Sequence, residues 1–118
     1  MEQPVCQQFT IAGHTYGLMS FHEEGEGLVN GDTMVERALK RDANLGEEDG
    51  ALILEHQDEI PQKFRGEFYL VFAAWHHPSR PQRVACLRWN GFRWCQDWYW
   101  LGSSWGGYDR LVRKVSMK

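Results

Sequence analysis

The sequence predicts an α+β fold in which two helices pack on an antiparallel sheet. Apolar residues recur at helical spacing in the first half, whereas apolar and alternating runs separated by turn residues fill the second half. The chain has 118 residues, of which 42% are hydrophobic and 25% charged, and these values are typical of one globular domain. We therefore expect a single domain over residues 1–118.

The first half predicts a strand pair followed by two helices. Residues 8–21 are typical of two short strands around a glycine turn. Residues 31–46 place their apolar side chains on one helical face, and Asp32 or Thr33 can cap this first helix. Residues 46–57 begin with acidic side chains, which suit the amino terminus of a helix, and they predict the second helix.

The second half predicts four strands. Residues 67–75 form a nearly continuous apolar run, which predicts a strand covered on both faces. Strands are also predicted at 83–89 and 92–101, and the Asn-Gly pair at 90–91 is a strong hairpin signal. A last strand is predicted at 108–115, so that the four strands end in a meander.

Charge is distributed unevenly along the chain, although the net charge is only −3. Residues 22–67 carry 13 acidic and 5 basic side chains, whereas residues 83–118 carry 2 acidic and 7 basic ones. Solvated helix faces and strand edges explain this asymmetry in most soluble domains. A basic, aromatic binding face in the C-terminal part is the alternative, and the acidic balance overall argues against nucleic acid as a partner.

The cysteines favour a reducing compartment. Cys6, Cys86 and Cys95 are odd in number and lack the spacing of a disulfide framework or a zinc site. No basic segment followed by an apolar one precedes residue 20, so no signal peptide is expected. No run approaches 18 apolar residues, so we expect a cytoplasmic protein without a membrane span, a metal or a cofactor.

Two histidines and one cysteine supply the candidate chemistry of an enzyme. Adjacent side chains such as His76 and His77 point in different directions along a strand, so they are poorly placed to share one metal. Cys95 with a histidine would make a nucleophile–base pair, but the strand-turn-helix context of such a nucleophile is absent. We therefore expect no catalytic residues, and a small enzyme using His76, His77 and Cys95 is kept as an alternative.

Aromatic residues crowd the C-terminal part, where five of the six tryptophans lie between residues 89 and 105. Alternate residues of a strand face opposite ways. One face of the strand then carries Trp94, Gln96, Trp98 and Trp100, and the other carries Cys95, Asp97 and Tyr99. Large aromatics dominate small cores, so the tryptophan face is expected to pack on the helices and the second face to meet solvent.

The run LRWNGFRWCQDWYWLGSSWGGYDRLVRK, residues 87–114, resembles a family of small bacterial proteins, and the resemblance is clearest over residues 84–114. It is similar to the C-terminal segment of variable proteins of diversity-generating retroelements, whose framework is W-N-G-x-R-W, then alternating asparagines, then W-L and D-R-L-V-R. In such systems a reverse transcriptase copies a template RNA with errors at adenines. This chain retains almost no asparagine in the segment, as in a copy that has already been diversified.

The resemblance implies which residues contact a ligand. The framework would include Trp89, Asn90, Gly91, Arg93, Trp94, Trp98, Trp100, Leu101, Trp105 and Asp109 to Arg113. The diversified positions would be Cys95, Asp97, Tyr99, Ser103, Gly106 and Tyr108, each encoded by a codon reachable from AAC through its adenines alone. The further positions are Phe92, Gly102, Ser104 and Gly107. The variable segment spans residues 89–113, and its predicted ligand contacts are Phe92, Cys95, Asp97, Tyr99, Ser103, Ser104, Gly106 and Tyr108.

The resemblance also implies a fold and a function. Retroelement variable proteins often have a C-type-lectin-like fold, in which the last strand returns beside the first. The expected function is non-enzymatic binding of an unknown protein or surface ligand. The alternative from another class is a small phage or bacterial regulator that binds a host protein through its acidic helices, residues 32–59.

Overall fold

A computed structural model describes residues 7–115 of the chain, which form an α+β fold with two helices and a six-stranded sheet. The strands are β1 (Gln7–Ile11), β2 (His14–Met19), β3 (Val29–Asn30), β4 (Tyr69–His76), β5 (Arg83–Trp89), β6 (Trp94–Trp100), β7 (Ser104–Trp105) and β8 (Asp109–Lys114). The helices are α1 (Gly31–Lys40) and α2 (Glu47–Glu55), and two 3₁₀ turns follow α2 at Gln57–Glu59 and Gln62–Phe64.

The large sheet is mixed, so the predicted antiparallel sheet is wrong in one of its strand pairs. Its strand order is β1-β2-β8-β4-β5-β6, and β3 pairs with β7 in a separate two-stranded ribbon. Strand β8 does not end a meander but enters between β2 and β4. It runs antiparallel to β2, with Leu18 opposite Val112, and parallel to β4, with Leu70 opposite Arg110. The sequence pattern of β8 suits both the end of a meander and a position between β2 and β4, so the pattern alone could not distinguish these two positions.

Both faces of the sheet are covered over its centre. On one face α2 supplies Ile53 to a first core, which contains alternate residues of β4 such as Leu70 and Phe72. On the other face α1 supplies Met34 to a second core, which contains the intervening residue Val71. This arrangement explains the continuous apolar run of β4, because each of its central side chains meets one of the two cores.

The capping residue and the end of helix α1 both differ from the prediction. Its cap is Asn30, whose Oδ1 accepts from the Thr33 backbone N–H at 2.8 Å, rather than Asp32 or Thr33. The helix ends several residues before the predicted end because Asp42 adopts a left-handed conformation with φ of 54°. The Ala43 N–H then bonds the Ala38 carbonyl at 2.8 Å, as in a Schellman motif.

Helix α2 lies so close to β4 that one of its positions has no room for a side chain. A Cβ at Gly50 would lie 2.5 Å from the six-membered ring of Trp75. The glycine therefore lets the helix approach the sheet, although glycine in the middle of a helix costs about 1 kcal/mol relative to alanine. Trp75 in turn contacts Phe72 and Trp98 edge-on, which connects α2 to β6.

The hairpin between β5 and β6 is present where the Asn-Gly pair predicted it. Its loop has four residues, 90 to 93, because Trp89 pairs with Trp94. The Asn90 Oδ1 accepts from the backbone N–H groups of Phe92 and Arg93 at 2.9 Å, and Gly91 has a positive φ of 103°. The asparagine side chain thus stabilises the loop.

Cys86 is buried and Cys95 half-buried, both as free thiols, and Cys6 lies outside the described residues. No helix among residues 7–115 is both long enough and apolar enough to cross a membrane.

Candidate functional site

Strand β6 is an edge strand, and the β5–β6 register places Cys95, Asp97 and Tyr99 on one of its faces. Cys95 lies opposite Arg88 and Asp97 lies opposite Cys86, so these side chains share the face. Helix α1 covers only part of this side of the sheet, and all three predicted positions on β6 remain partly exposed. We call Arg88, Cys95, Asp97 and Tyr99 the recognition face.

An ion pair joins two side chains of the recognition face. The Arg88 guanidinium donates to the Asp97 carboxylate, and the two side chains are 38% and 39% exposed. The Asn90 side-chain amide lies 3.2 Å from the Cys95 Sγ, next to this pair. Exposed ion pairs contribute little to stability, so this pair supplies a charged, directional contact surface rather than a structural anchor.

Tyr99 differs from its neighbours because it is packed between other aromatic rings. Its ring lies edge-on to Tyr69 at a centroid distance of 5.9 Å and at 6.0 Å from Trp105 of the second core. Burial raises the pKa of the Tyr99 hydroxyl to about 12. Tyr99 is thus at once a half-buried part of the scaffold and a part of the surface.

Buried polar groups lie beneath and beside these rings. Cys86 is fully buried, and burial together with the nearby carboxylates of Asp109 and Asp97 raises the pKa of its thiol. Asp109 is also buried, and loss of solvation raises the pKa of its carboxyl. The Asp109 Oδ2 accepts from the Gly106 backbone N–H at 2.8 Å, so this carboxylate holds the turn that carries Gly106.

A concavity of about 420 Å³ adjoins the recognition face. Its lining residues are Gly66, Glu67, Tyr69, Gly106, Tyr108 and Asp109. Tyr69 joins the two regions, because its ring contacts Tyr99 and its backbone N–H bonds the Tyr108 carbonyl at 2.9 Å. Tyr108 is 72% exposed at the rim. Cys95, Asp97, Tyr99, Gly106 and Tyr108, five of the eight predicted contacts, therefore lie on one continuous surface.

The other three predicted contacts lie away from this surface. Ser104 is in β7, opposite Asn30, and Ser103 precedes it in an exposed turn. Phe92 is 89% exposed in the loop of the β5–β6 hairpin, at the opposite end of β6. The seven residues of β6 span about 20 Å, so Phe92 and the two serines form separate, exposed ends of the segment.

The expectation that the tryptophan face of β6 is core holds only at one end. Trp94 is fully buried in the first core. Trp98 is half-buried and Trp100 is 53% exposed. The physical reason is what packs on each end of β6: Ile53 of α2 and the Gln57 side chain cover the Trp94 end, whereas Trp98 and Trp100 line open concavities at the other end. The separation into an inner tryptophan row and an outer polar row was therefore too simple.

Sequence reasoning missed Tyr69, Arg88 and Glu67. Arg88 could have been predicted from the sequence, because a hairpin register around Asn90 places it opposite Cys95. Tyr69 and Glu67 were not, because they approach the segment through the parallel pairing of β4 with β8, where Tyr69 lies opposite Asp109. No local pattern in the sequence encodes that pairing.

The side chains considered for an enzyme, His76, His77 and Cys95, do not lie together. The His77 ring contacts Trp98 at 4.9 Å on one face of the sheet, whereas Cys95 lies on the other face. The His76 Nδ1 lies 2.8 Å from the Pro81 carbonyl oxygen in a loop. Within residues 7–115, no three His, Cys, Asp or Glu side chains are grouped as metal ligands.

The acidic helices also lie apart. Helix α1 packs on the second core and α2 on the first, so the two helices lie on opposite faces of the sheet. Some of their charged groups have partners. Arg37 of α1 donates at 2.6 Å to Glu26, which precedes the helix, and this bond lowers the pKa of the Glu26 carboxyl to about 2. Asp49 of α2 accepts from the Tyr16 hydroxyl at 2.7 Å. Residues 32–59 thus present two separate surfaces rather than one.

Comparisons of the chain with protein-family models, with curated proteins and with solved structures gave no match. The recognition face and its concavity combine aromatic rings, hydroxyl groups, a guanidinium and carboxylates on a strand that the sheet supports. Such a surface can bind a ligand through shape and through hydrogen bonds.

Proposed function

We propose that this protein is a non-enzymatic binding protein. Its ligand surface is the recognition face together with the concavity beneath Tyr108. One observation carries the proposal: Cys95, Asp97 and Tyr99 share one face of an edge strand and are joined, through Tyr69, to an open concavity. The ligand is a protein or a surface-borne group.

The residue types of this surface support binding. Tyrosine offers a large contact area with few rotatable bonds, while serine, glycine and aspartate adapt their hydrogen bonds to the partner. Tyr108 stands exposed at the rim of the concavity, and Ser103 and Ser104 form a separate exposed end of the segment beyond β6. The same combination is typical of antibody-like binding loops.

The scaffold beneath the surface supports a role in which contacts change while the fold persists. Trp94, Trp105 and Cys86 are buried directly next to the exposed positions. Substitutions at exposed positions usually change stability by less than about 0.5 kcal/mol, whereas substitutions in the core cost several. Ser103 and Tyr108 belong to the first group, and Cys95 and Asp97 are partly exposed beside them.

We further propose that the segment 89–113 is diversified by a retroelement and that the fold is C-type-lectin-like. The position of β8 supports the second part, because the last strand lies beside the N-terminal strand β2 after two helices have intervened. The exposure of Phe92, Ser103, Ser104 and Tyr108 supports the first part. The free thiols Cys86 and Cys95 support a cytoplasmic location.

A displayed library tests the binding function. Cys95, Asp97, Ser103, Ser104 and Tyr108 are randomised together on the yeast surface, and the library is selected against hen lysozyme as a model target. A matched library randomises five exposed residues of α1 and α2. We expect specific binders from the first library and none, or far fewer, from the second. Equal recovery from both libraries would remove any special role of this surface.

The retroelement proposal has a separate test in DNA sequence. Sequencing of the DNA that flanks the coding region is expected to reveal a second copy of the codons for residues 89–113, close to a reverse transcriptase gene. The two copies are expected to differ mainly where the second copy has adenines. Differences spread over all four bases, or no second copy, would contradict diversification and would leave the binding function standing.

A further inference from the structure

A second surface lies on the opposite face of the sheet from the recognition face. It consists of two adjoining concavities of about 480 and 310 Å³ that share Arg80 and Arg83. The lining residues are His77, Ser79, Arg80, Gln82, Arg83, Trp98 and Trp100, which we call the arginine–tryptophan groove. None of these residues belongs to the predicted ligand contacts.

The two indoles of the groove pack against the protein on one side and are exposed on the other. Trp98 lies edge-on to Trp75 at 5.8 Å and to His77 at 4.9 Å. Trp100 lies over Gly102, where a Cβ would come within 2.6 Å of the indole. Trp100 nevertheless remains 53% exposed. Rings that are held in place before binding lose little conformational entropy when a ligand covers them.

The loop that carries the arginines is also held in place. The His77 backbone N–H bonds the Arg83 carbonyl at 2.9 Å, and the Arg83 N–H bonds the Arg80 carbonyl at 2.9 Å. The Ser79 backbone N–H donates to His77 Nδ1 at 3.0 Å, so in the neutral ring the proton resides on Nε2. The turn and the start of β5 thus hold both guanidinium groups on folded backbone rather than on a flexible segment.

The ionisable side chains that line the groove are all basic. Its lining includes two arginines and a histidine, and no aspartate or glutamate among the described residues. Ion pairs of the described residues involve neither Arg80 nor Arg83. Two guanidinium groups beside exposed indoles favour an anionic partner that also has apolar or planar groups.

The groove adjoins an open stretch of backbone on β6. The Leu101 N–H bonds the Gln82 carbonyl at 2.7 Å, and the Asn90 N–H bonds the Arg93 carbonyl at 3.0 Å. These bonds mark the residues whose backbone faces β5, and alternation along the strand then turns the N–H and C=O groups of Gln96 and Trp98 outward. Their direction is toward the free edge of the sheet.

The flanks of this open stretch are already occupied. The Gln57 side-chain amide accepts from the Trp94 N–H at 2.7 Å and donates to the Trp94 carbonyl at 3.2 Å, as a neighbouring strand would. The Trp100 carbonyl accepts from the Ser103 N–H at 3.0 Å. The outward groups of Gln96 and Trp98 therefore form a short segment for pairing, beside the arginines and the two indoles.

We propose that the arginine–tryptophan groove binds an acidic peptide segment of a partner protein in an extended conformation. The peptide adds to β6 as one more strand through the backbone of Gln96 and Trp98. Its carboxylates pair with Arg80 and Arg83, and its apolar side chains lie on the exposed indoles. A nucleic acid could use the arginines and the indoles but could not pair as a strand with the open backbone groups of Gln96 and Trp98, so the open edge favours a peptide.

The test uses the full chain and a fluorescein-labelled octapeptide of alternating glutamate and valine, followed by fluorescence anisotropy. Counter-probes are the corresponding lysine–valine peptide and the single-stranded DNA dT8. We expect the acidic peptide to bind more tightly than either counter-probe. The R80E/R83E variant is expected to lower its affinity by about tenfold or more.

Gln96→Pro separates strand addition from simple charge attraction. Proline removes the outward N–H of Gln96 together with its side chain and fixes φ at about −65°, and the edge of a sheet tolerates proline where the N–H points outward. Gln96→Val is the matched control, because it deletes the same side chain and keeps the N–H. We expect Gln96→Pro to weaken the acidic peptide by about fivefold or more relative to Gln96→Val. Circular dichroism and thermal melting of each variant confirm folding before binding is compared.

Three outcomes would overturn the proposal. Binding of dT8 more tightly than the acidic peptide would make the groove a nucleic-acid site. Unchanged affinity in R80E/R83E would place the peptide elsewhere, and equal affinity of Gln96→Pro and Gln96→Val would exclude strand addition. None of these outcomes bears on the recognition face, because the arginine–tryptophan groove lies on the other face of the sheet.

Discussion

The Tyr99 ring lies edge-on to the Tyr69 ring, with centroids 5.9 Å apart and planes at 81°. This contact joins β6, which carries three of the predicted ligand contacts, to β4, which forms one wall of the concavity. Two segments that are 30 residues apart in the chain thereby form one surface. The recognition face is thus tied to the centre of the sheet although β6 itself is an edge strand.

Tyr99→Ala is expected to destabilise the fold by about 1–3 kcal/mol, because the ring contacts Tyr69 and Trp105. Cys95→Ala is the matched control on the same face of β6, and it is expected to change the free energy of unfolding by less than about 0.5 kcal/mol. Urea denaturation of both variants checks the difference. Equal losses would mean that Cys95 is as structural as Tyr99.

Gly50→Ala is expected to destabilise the fold by about 1–3 kcal/mol even though alanine is the better helix former. The new Cβ would meet Trp75 at 2.5 Å and separate α2 from β4. Trp75→Leu in the same chain should recover part of the loss, since the smaller side chain leaves room for the methyl group. A double-mutant cycle measured by thermal melting checks this. Simple additivity of the two losses would argue against the contact.

Gln57→Ala is expected to cost about 1–2 kcal/mol, because both backbone groups of Trp94 lose their partner. The amide proton of Trp94 should exchange faster with solvent in this variant, as measured by nuclear magnetic resonance. Gln62→Ala is the control, since Gln62 is exposed and lies in the neighbouring 3₁₀ turn. Unaltered exchange at Trp94 would show that Gln57 does not protect the edge.

The burial of Asp109 predicts an unusual dependence of the free energy of unfolding on pH. Burial raises its pKa above the ordinary value of 3.8, so the folded state binds the proton more tightly than the unfolded state. The ionised carboxyl therefore costs stability at neutral pH, and this cost declines as the pH falls through the folded pKa toward 3.8. The hydrogen bond from the Gly106 backbone and the charges of His22 and Arg110 lower the pKa but do not reverse the shift.

Asp109→Asn tests this dependence, because the amide oxygen can still accept from the Gly106 N–H. We expect the variant to be at least as stable as the wild type at about pH 7 and to lose that advantage toward about pH 4. Chemical denaturation across this range measures both proteins. A wild type that is more stable at neutral pH and converges with the variant in acid would reverse the sign of the proposed shift.

Much of this architecture follows from local sequence patterns. Alternation along 94–100 correctly places Cys95, Asp97 and Tyr99 on one face, and the Asn-Gly pair at 90–91 correctly predicts the hairpin. Apolar spacing predicts α1, and the acidic first turn predicts α2. These features depend on neighbours that are close in the chain.

The features that sequence patterns could not supply depend on distant parts of the chain. The exposure of Trp100 depends on what packs on each end of β6, and the approach of Tyr69 results from the parallel pairing of β4 with β8. The assumption that every tryptophan on one face belongs to the core therefore fails at the Trp100 end of the strand.

Whether the contacts can change while the fold persists is measured by a scan of all single substitutions at residues 89–113, scored by resistance of the displayed protein to protease. We expect Cys95, Asp97, Ser103 and Tyr108 to accept most residue types and Trp94 and Trp105 to accept almost none. If the first group rejects substitutions as strongly as Trp94 does, the surface is part of the scaffold, and it cannot change its contacts while the fold persists.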